Sequence, residues 1–273
     1  MRASVFCPSN RSTMERLFFL PLILILLFMA GVLGALVFQV SPGEISKAIS
    51  STETLFALRL TLTTSLMAVS ISILVGVPAA YLLARRNFFG KALVDAFLDL
   101  PLVMTPLIAG VGLLFLLGQS GLGGPLSKLG LRLVFTLWGA VVAQTFIAAP
   151  ILTRSCRAAF EAVDPRYELA GQTLGLSPWR TFFLVTMPLA RRGFLSGIIL
   201  AWARALGEFG ATLMVAGATR FKTATLPISV YLNISSGELG LALACSWLLL
   251  LTGLILLIIL KCIGLGREGL GGL

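Results

Sequence analysis

Residues 17–40 form a run of 24 positions without a single charge. A helix rises 1.5 Å per residue, so about 20 apolar residues cross a hydrocarbon core of roughly 30 Å. The run is too long for the apolar region of a signal peptide and no convincing small-residue cleavage site follows it, so it reads as a retained first span. Five more apolar stretches come after it, at residues 60–84, 97–117, 133–152, 194–217 and 241–260. Lipid offers backbone N–H and C=O groups no partner, which leaves helices or a closed barrel as ways to cross it. Runs of this length select helices. The sequence therefore predicts an all-α polytopic membrane protein of about six transmembrane helices. Composition agrees: 12% of residues are charged, against about 25% in soluble domains.

The formal charge of +10 at pH 7 would raise nucleic-acid binding in a soluble chain. Here topology accounts for it, and no compact basic domain exists to carry a nucleic acid. With the N-terminus in the cytoplasm, 14 of the 21 Lys and Arg residues fall on cytoplasmic segments, 6 fall on the opposite side and Arg204 lies in a span. This bias predicts a multi-pass protein of the inner or plasma membrane, bathed in lipid, with both termini and residues 153–192 cytoplasmic. Histidine is absent, which removes the commonest general base and metal ligand. With no clustered acids either, this argues against an intramembrane enzyme. Cys7, Cys156, Cys245 and Cys262 show no paired spacing and read as free thiols.

Residues 153–192 are the one long polar interruption, and within them residues 167–188 read as helix, turn, helix. Asp164 suits an N-cap and Pro165 the first helical position; Gly175 can take the left-handed conformation that ends a helix. Ser177 caps a second start with Pro178 at its first position, and Pro188 is expected to stop it. The first of these helices offers Leu169, Ala170 and Leu174 as an apolar stripe flanked by Arg166, Tyr167 and Glu168, which suits a groove in a partner.

Two features inside the spans stand out against their apolar surroundings. Pro101 and Pro106 fall in the first half of the third span, where each kinks or breaks the helix, for packing or for a pathway. In the fifth span, Arg204 and Glu208 stand at i and i+4, so their heads can meet on one helix face. Arg204 lies ten residues past the start of that span, roughly 15 Å deep, where even a lenient scale charges about 2.5 kcal/mol. Such a pair either balances itself for packing or lines and gates a polar path. Small residues at Gly193, Gly197, Ala201 and Ala205, and again at Ala203, Gly207 and Ala211, let neighbouring helices approach closely.

From about residue 58 to 260 the chain resembles the permease subunits of type I, binding-protein-dependent ATP-binding-cassette importers. Their cytoplasmic loop carries Glu, Ala, Ala, three residues, Gly, nine residues, Ile, one residue, Leu, Pro. Here Gly175, Val185, Met187 and Pro188 match that spacing. Leu169, Ala170 and Gly171 stand where Glu, Ala, Ala would, and the acid comes one place early as Glu168. The stretches ARALGEFGATLMVAG and LPLVMTPLIAGVGLLFLLG are similar to the molybdate and sulfate permeases; Phe209 before Gly210 and Ala211 leans to molybdate, with sulfate and tungstate open.

The resemblance implies one membrane domain over residues 1–273, with a core of about 56–262, an extra N-terminal span at 17–40 and a coupling loop at 153–192. It implies that a second permease copy completes the path, that two cytoplasmic ATPase subunits each receive one coupling helix, and that an extracytoplasmic protein delivers an oxyanion. The coupling contacts would fall at Arg166, Tyr167, Glu168, Leu169, Ala170, Gly175 and Pro188. The path or gate would involve Arg204, Glu208, Phe209, Pro101 and Pro106. No cofactor is expected on this chain: no phosphate loop ending GKS or GKT occurs, which leaves ATP and Mg to the partner. The competing class is an ion-coupled secondary transporter that uses Arg204 and Glu208 and works without ATP.

Overall fold

The computed structural model describes residues 9–130 and 132–265, and every regular element among them is helical. The first is α1 (Ser9–Phe38), whose apolar stretch Phe18–Leu36 is long enough to span and packs against little else of the chain. A short surface helix, α2 (Pro42–Ser50), starts on a reciprocal cap: Ser41 Oγ accepts the Glu44 N–H, and the Glu44 carboxylate accepts the Ser41 N–H, both at 3.3 Å. Next comes α3 (Thr52–Arg85), 34 residues and so about 51 Å long. That exceeds a hydrocarbon core, so one end projects beyond it. Its buried hydroxyls bond back to their own helix, Thr61 to the Ala57 carbonyl and Ser72 to that of Ala68, each at 2.7 Å. Polar side chains are thereby carried in an apolar span without an orphaned proton.

The expected third span is two helices. α4 (Lys91–Val103) and α5 (Pro106–Leu117) meet at a bend of 113°, so residues 97–117 do not run straight across. Pro106 accounts for the break, though not for its angle: it sits at the first position of α5, where a missing N–H costs nothing, and Thr105 caps the new start by accepting the Ile108 N–H at 3.4 Å. Pro101 stays inside α4. After α6 (Gly123–Lys128) comes α7 (Leu137–Glu161), the central helix of the molecule. It passes through Pro150, where the fourth span was expected to end, and continues to Glu161.

The polar interruption then folds as α8 (Pro165–Thr173) and α9 (Pro178–Thr181). From α9 the chain runs without a break through a π-helical stretch (Phe182–Thr186) into α10 (Met187–Leu206). Pro188 therefore does not stop a helix. The π turn widens the register by one residue just before it, which makes room for the ring and for the absent amide. The fifth span accordingly begins near Pro178 and ends at Leu206, earlier at both ends than residues 194–217. α11 (Gly210–Ala216) follows as a separate short helix, and α12 (Leu226–Ser235) and α13 (Leu239–Leu265) close the described chain.

The core sits where α3, α7 and α10 cross, around Leu152, Cys156, Phe160, Ala201 and Ala205. Small residues permit the approach: a Cβ on Gly193 would fall 2.5 Å from that of Ala159, and one on Gly197 would fall 2.8 Å from that of Ser155. A second cluster joins α5, α7 and α11, and a third joins α2, α12 and α13. Cys156 and Cys245 are buried free thiols. Cys7 lies outside the described residues.

Candidate functional site

At one end of α7 the chain turns into α8. The local sequence builds this unit as anticipated: Asp164 accepts the Arg166 N–H at 2.9 Å, Ser177 accepts the Arg180 N–H at 3.5 Å, and Gly175 turns the chain with φ +89°. Only a glycine takes that φ freely. Arg166, Tyr167, Leu169 and Ala170 face outward, and Leu174 is 85% exposed.

Glu168 departs from the expected arrangement. It does not flank the outer stripe but points inward and is buried. Its Oε1 accepts from Arg85 Nε at 2.9 Å and from the Thr186 hydroxyl at 2.8 Å, and its Oε2 accepts from the Tyr81 hydroxyl at 3.0 Å. Arg85 Nη2 completes the ion pair at 2.8 Å and also donates to the Val163 carbonyl at 2.9 Å. Tyr81, Phe160 and Phe182 close a ring cluster beside the carboxylate, with centroids 4.9 to 5.8 Å apart. A single carboxylate thus ties α8 to the end of α3, and to the π turn. Gly171 sets the spacing, since a Cβ there would reach 3.3 Å from Leu176 Cδ1 and 3.4 Å from Val185 Cγ2.

The outer face extends beyond what the sequence offered. Trp179 is 74% exposed and stacks on exposed Phe183, with Leu184 exposed beside them. Together with Tyr167, Leu169 and Leu174 they give this end a set of large apolar groups on α8, α9 and the π turn.

Inside the bundle, Arg204 and Glu208 do meet, but at a helix break. Arg204 lies in the last turn of α10 and Glu208 in the two-residue gap before Phe209, which precedes α11. Arg204 Nη1 is 2.7 Å from Glu208 Oε2, off the angle of a hydrogen bond, and Glu208 Oε1 accepts the Ala211 N–H at 2.9 Å. The cation sits at a helix C-terminus and the anion at a helix N-terminus, the sign each end favours. The pair therefore supports the interruption that an unbroken fifth span would not contain.

The second break meets this one. Gly210 packs against the start of α5, where a Cβ would lie 3.0 Å from Leu107 N and 3.1 Å from Pro106 Cβ; at Gly110 a Cβ would lie 2.8 Å from Ala211 Cα. The structure thus brings Pro106, Glu208 and Phe209 to one place, with Phe209 against the Tyr231 ring at 5.3 Å. Pro101 stays on α4, which packs on α7. Sequence reasoning passed over Gln144. It is fully buried on α7, and neither atom of its amide finds a hydrogen-bond partner among the described residues. A lone glutamine in an apolar run was the available signal.

Comparison with known proteins places this architecture. The family model for the binding-protein-dependent transport system inner membrane component matches residues 72–265. The molybdenum transport system permease protein ModB of Escherichia coli strain K12 is 40% identical over 193 residues, 69% of this chain and 84% of that one. A probable molybdenum ABC transporter permease of Haloferax volcanii is 38% identical over 79% of this chain and 81% of its own length. The sulfate transport system permease CysW of Synechocystis is 38% identical over 64% and 63%. Among solved structures, a chain of a bacterial ABC transporter that imports the acidic polysaccharide alginate superposes over 95% of this chain and 97% of its own, with TM-score 0.70 at 18% identity. The fold is that of the type I ABC importer permeases, and the chain belongs to the family of binding-protein-dependent transport system inner membrane components.

Proposed function

We propose that this chain is the membrane-spanning subunit of an ATP-driven importer of a tetrahedral oxyanion, molybdate first, and that α8 is its coupling helix. The observation that carries the reading is the α8 end of the molecule: a well-capped helix pair with exposed Tyr167, Leu169, Leu174 and Trp179, held to the bundle by a buried ion pair. Large apolar groups on a rigid helix suit a groove in a partner. The 40% identity to a molybdenum permease supports the choice of anion.

In this reading two copies of the chain form the path, each presents α8 to one cytoplasmic ATPase, and an extracytoplasmic protein hands over the anion. ATP hydrolysis lies on the partner chain. Closure of the ATPases moves the two α8 helices together, and because Glu168 links α8 to α3 and the π turn, the displacement enters the bundle as a rigid-body rotation. The helix breaks at Pro106 and Glu208 lie together, where irregular backbone is tolerated beside a protein-lined path. Both termini and α8 are assigned to the cytoplasm by the excess of basic residues on that side.

Uptake by proteoliposomes carrying the chain with its ATPase and delivery protein tests this reading. Accumulation of molybdate should require ATP; uptake by the chain alone, driven by an ion gradient, would establish the ion-coupled alternative instead. Gly175→Arg should abolish co-purification of the ATPase and leave the permease inserted, since φ +89° strains any side chain there although nothing obstructs it.

A further inference from the structure

A cleft that carries charge lies toward each end of α7. In the cleft near the α8 end, of about 390 Å³, both cations are paired from within, Arg154 and Arg157 against Asp95, Asp99 and Glu161. Arg154 meets Asp99 at 3.0 Å, and Arg157 meets both Asp95 and Glu161, the latter at 2.7 Å. The second cleft, of about 640 Å³, lies at the other end, between the end of α5, α6 and residues 132–136, with Lys222 reaching in from the connection between α11 and α12.

This second cleft is charged in one sense only. Arg132 and Lys222 line it, and no Asp or Glu does. Neither cation has an ion-pair or side-chain hydrogen-bond partner among the described residues, whereas Arg220, two positions before Lys222, is paired with Glu53 at 3.0 Å. Ser127 and Thr136 already give their hydroxyl protons to the carbonyls of Gly124 and Leu133, at 2.8 and 2.7 Å. The Gln119 amide and the Ser120 hydroxyl are left as neutral donors on the wall. Two unpaired cations in a concave, partly apolar site focus the field on whatever anion enters. A guanidinium offers paired donors to an oxyanion, and an ammonium adds a point charge.

We infer that this cleft is a binding site for a tetrahedral oxyanion, at the end of the molecule opposite α8. The ligand is either the free dianion gathered at the mouth of the path or the phosphate of a lipid headgroup. Its use as an entrance rests on the importer reading; its capacity to hold an oxyanion does not.

The test uses the full chain in nanodiscs of phosphatidylcholine, with radiolabelled sulfate and with molybdate as probes. Saturable binding is expected, at least tenfold weaker in the Arg132→Ala/Lys222→Ala double variant. The charge-preserving Arg132→Lys/Lys222→Arg variant should keep it, and Arg154→Ala, in the cleft whose cations are already paired, should leave it unchanged. In nanodiscs that also contain phosphatidylglycerol, mass spectrometry of the lipid retained after delipidation reads the other source. Selective retention lost in the double variant identifies the headgroup. Sulfate binding, molybdate binding and lipid retention all indifferent to the double substitution would overturn the site. Both cations are exposed and unpaired, so the variant should insert and fold like the parent. ATP-driven uptake by the assembled transporter separates the two readings: uptake in the parent with no effect on binding removes this site alone, and no uptake in the parent removes the importer and leaves the site standing.

Discussion

Glu168 and Glu208 are both buried carboxylates that face an arginine, yet they are held in different ways. Glu168 takes four contacts from three side chains, and two of those side chains come from 83 and 87 positions earlier in the chain. Glu208 takes one ion pair from the preceding turn and one N–H from the following one. The first joins elements that would otherwise part; the second steadies a local break. Their partners differ too: the Arg85 side chain is 12% exposed, whereas that of Arg204 is 35% exposed. A long-range tie should thus govern how α8 moves with the bundle, and a local one should govern the shape of the broken helix.

Removing the long-range tie should have the largest effect. Glu168→Ala leaves Arg85 with the Val163 carbonyl alone and strands the hydroxyls of Tyr81 and Thr186 in a ring-lined site. Loss of one partner from a buried pair costs about 3 to 5 kcal/mol. Thermal unfolding in detergent should show a destabilisation of that order, and co-purification of the ATPase should fall with it. An unfolding temperature equal to that of the parent would mean that α8 is held by its packing and not by the carboxylate.

Arg204→Ala comes next and sharpens the contrast, because the group left behind matters more than the group removed. Glu208 has no solvent exposure, so loss of Arg204 leaves its carboxylate with one N–H donor. The expected cost is about 3 kcal/mol, the lower part of the range for a broken buried pair, since that N–H remains. ATP-driven uptake should fall while the ATPase still binds, the reverse of the order of effects in Glu168→Ala. Equal loss of both activities in the two variants would mean that the two carboxylates play the same part.

The same contrast governs what could be read from the sequence. The Arg204–Glu208 contact was legible from its i, i+4 spacing, although Glu208 lies past the end of α10 and the break itself was not foreseen. Asp164, Pro165, Gly175, Ser177 and Pro178 were legible because capping chemistry is local. The inward turn of Glu168 was not, since nothing near it announces Tyr81 and Arg85. Pro188 misled for a related reason: a proline ends an α-helix, but a π turn absorbs it, and register changes leave no mark in an apolar pattern. Pro106 signalled a break without its angle, and the 113° bend follows from how α5 packs on α11 through Gly110 and Gly210. The identity of the neighbours, not of the residue, decided each of these cases.

Glu208→Ala should have the smallest effect on stability of the three, although it deletes the more deeply buried partner of its pair. Arg204, one-third exposed, remains free to turn toward solvent, and what is lost is chiefly the acceptor for the Ala211 N–H at the start of α11. Loss of a comparable helix-start acceptor costs about 0.5 to 2 kcal/mol. Unfolding measurements on Arg204→Ala and Glu208→Ala in parallel should therefore rank arginine removal above carboxylate removal. The opposite ranking would mean that the carboxylate organises the break through contacts beyond the pair. If the ranking holds and uptake still falls in Glu208→Ala, the deficit lies in the shape or charge of the proposed path where α5 meets α11, because too little stability is lost to explain it.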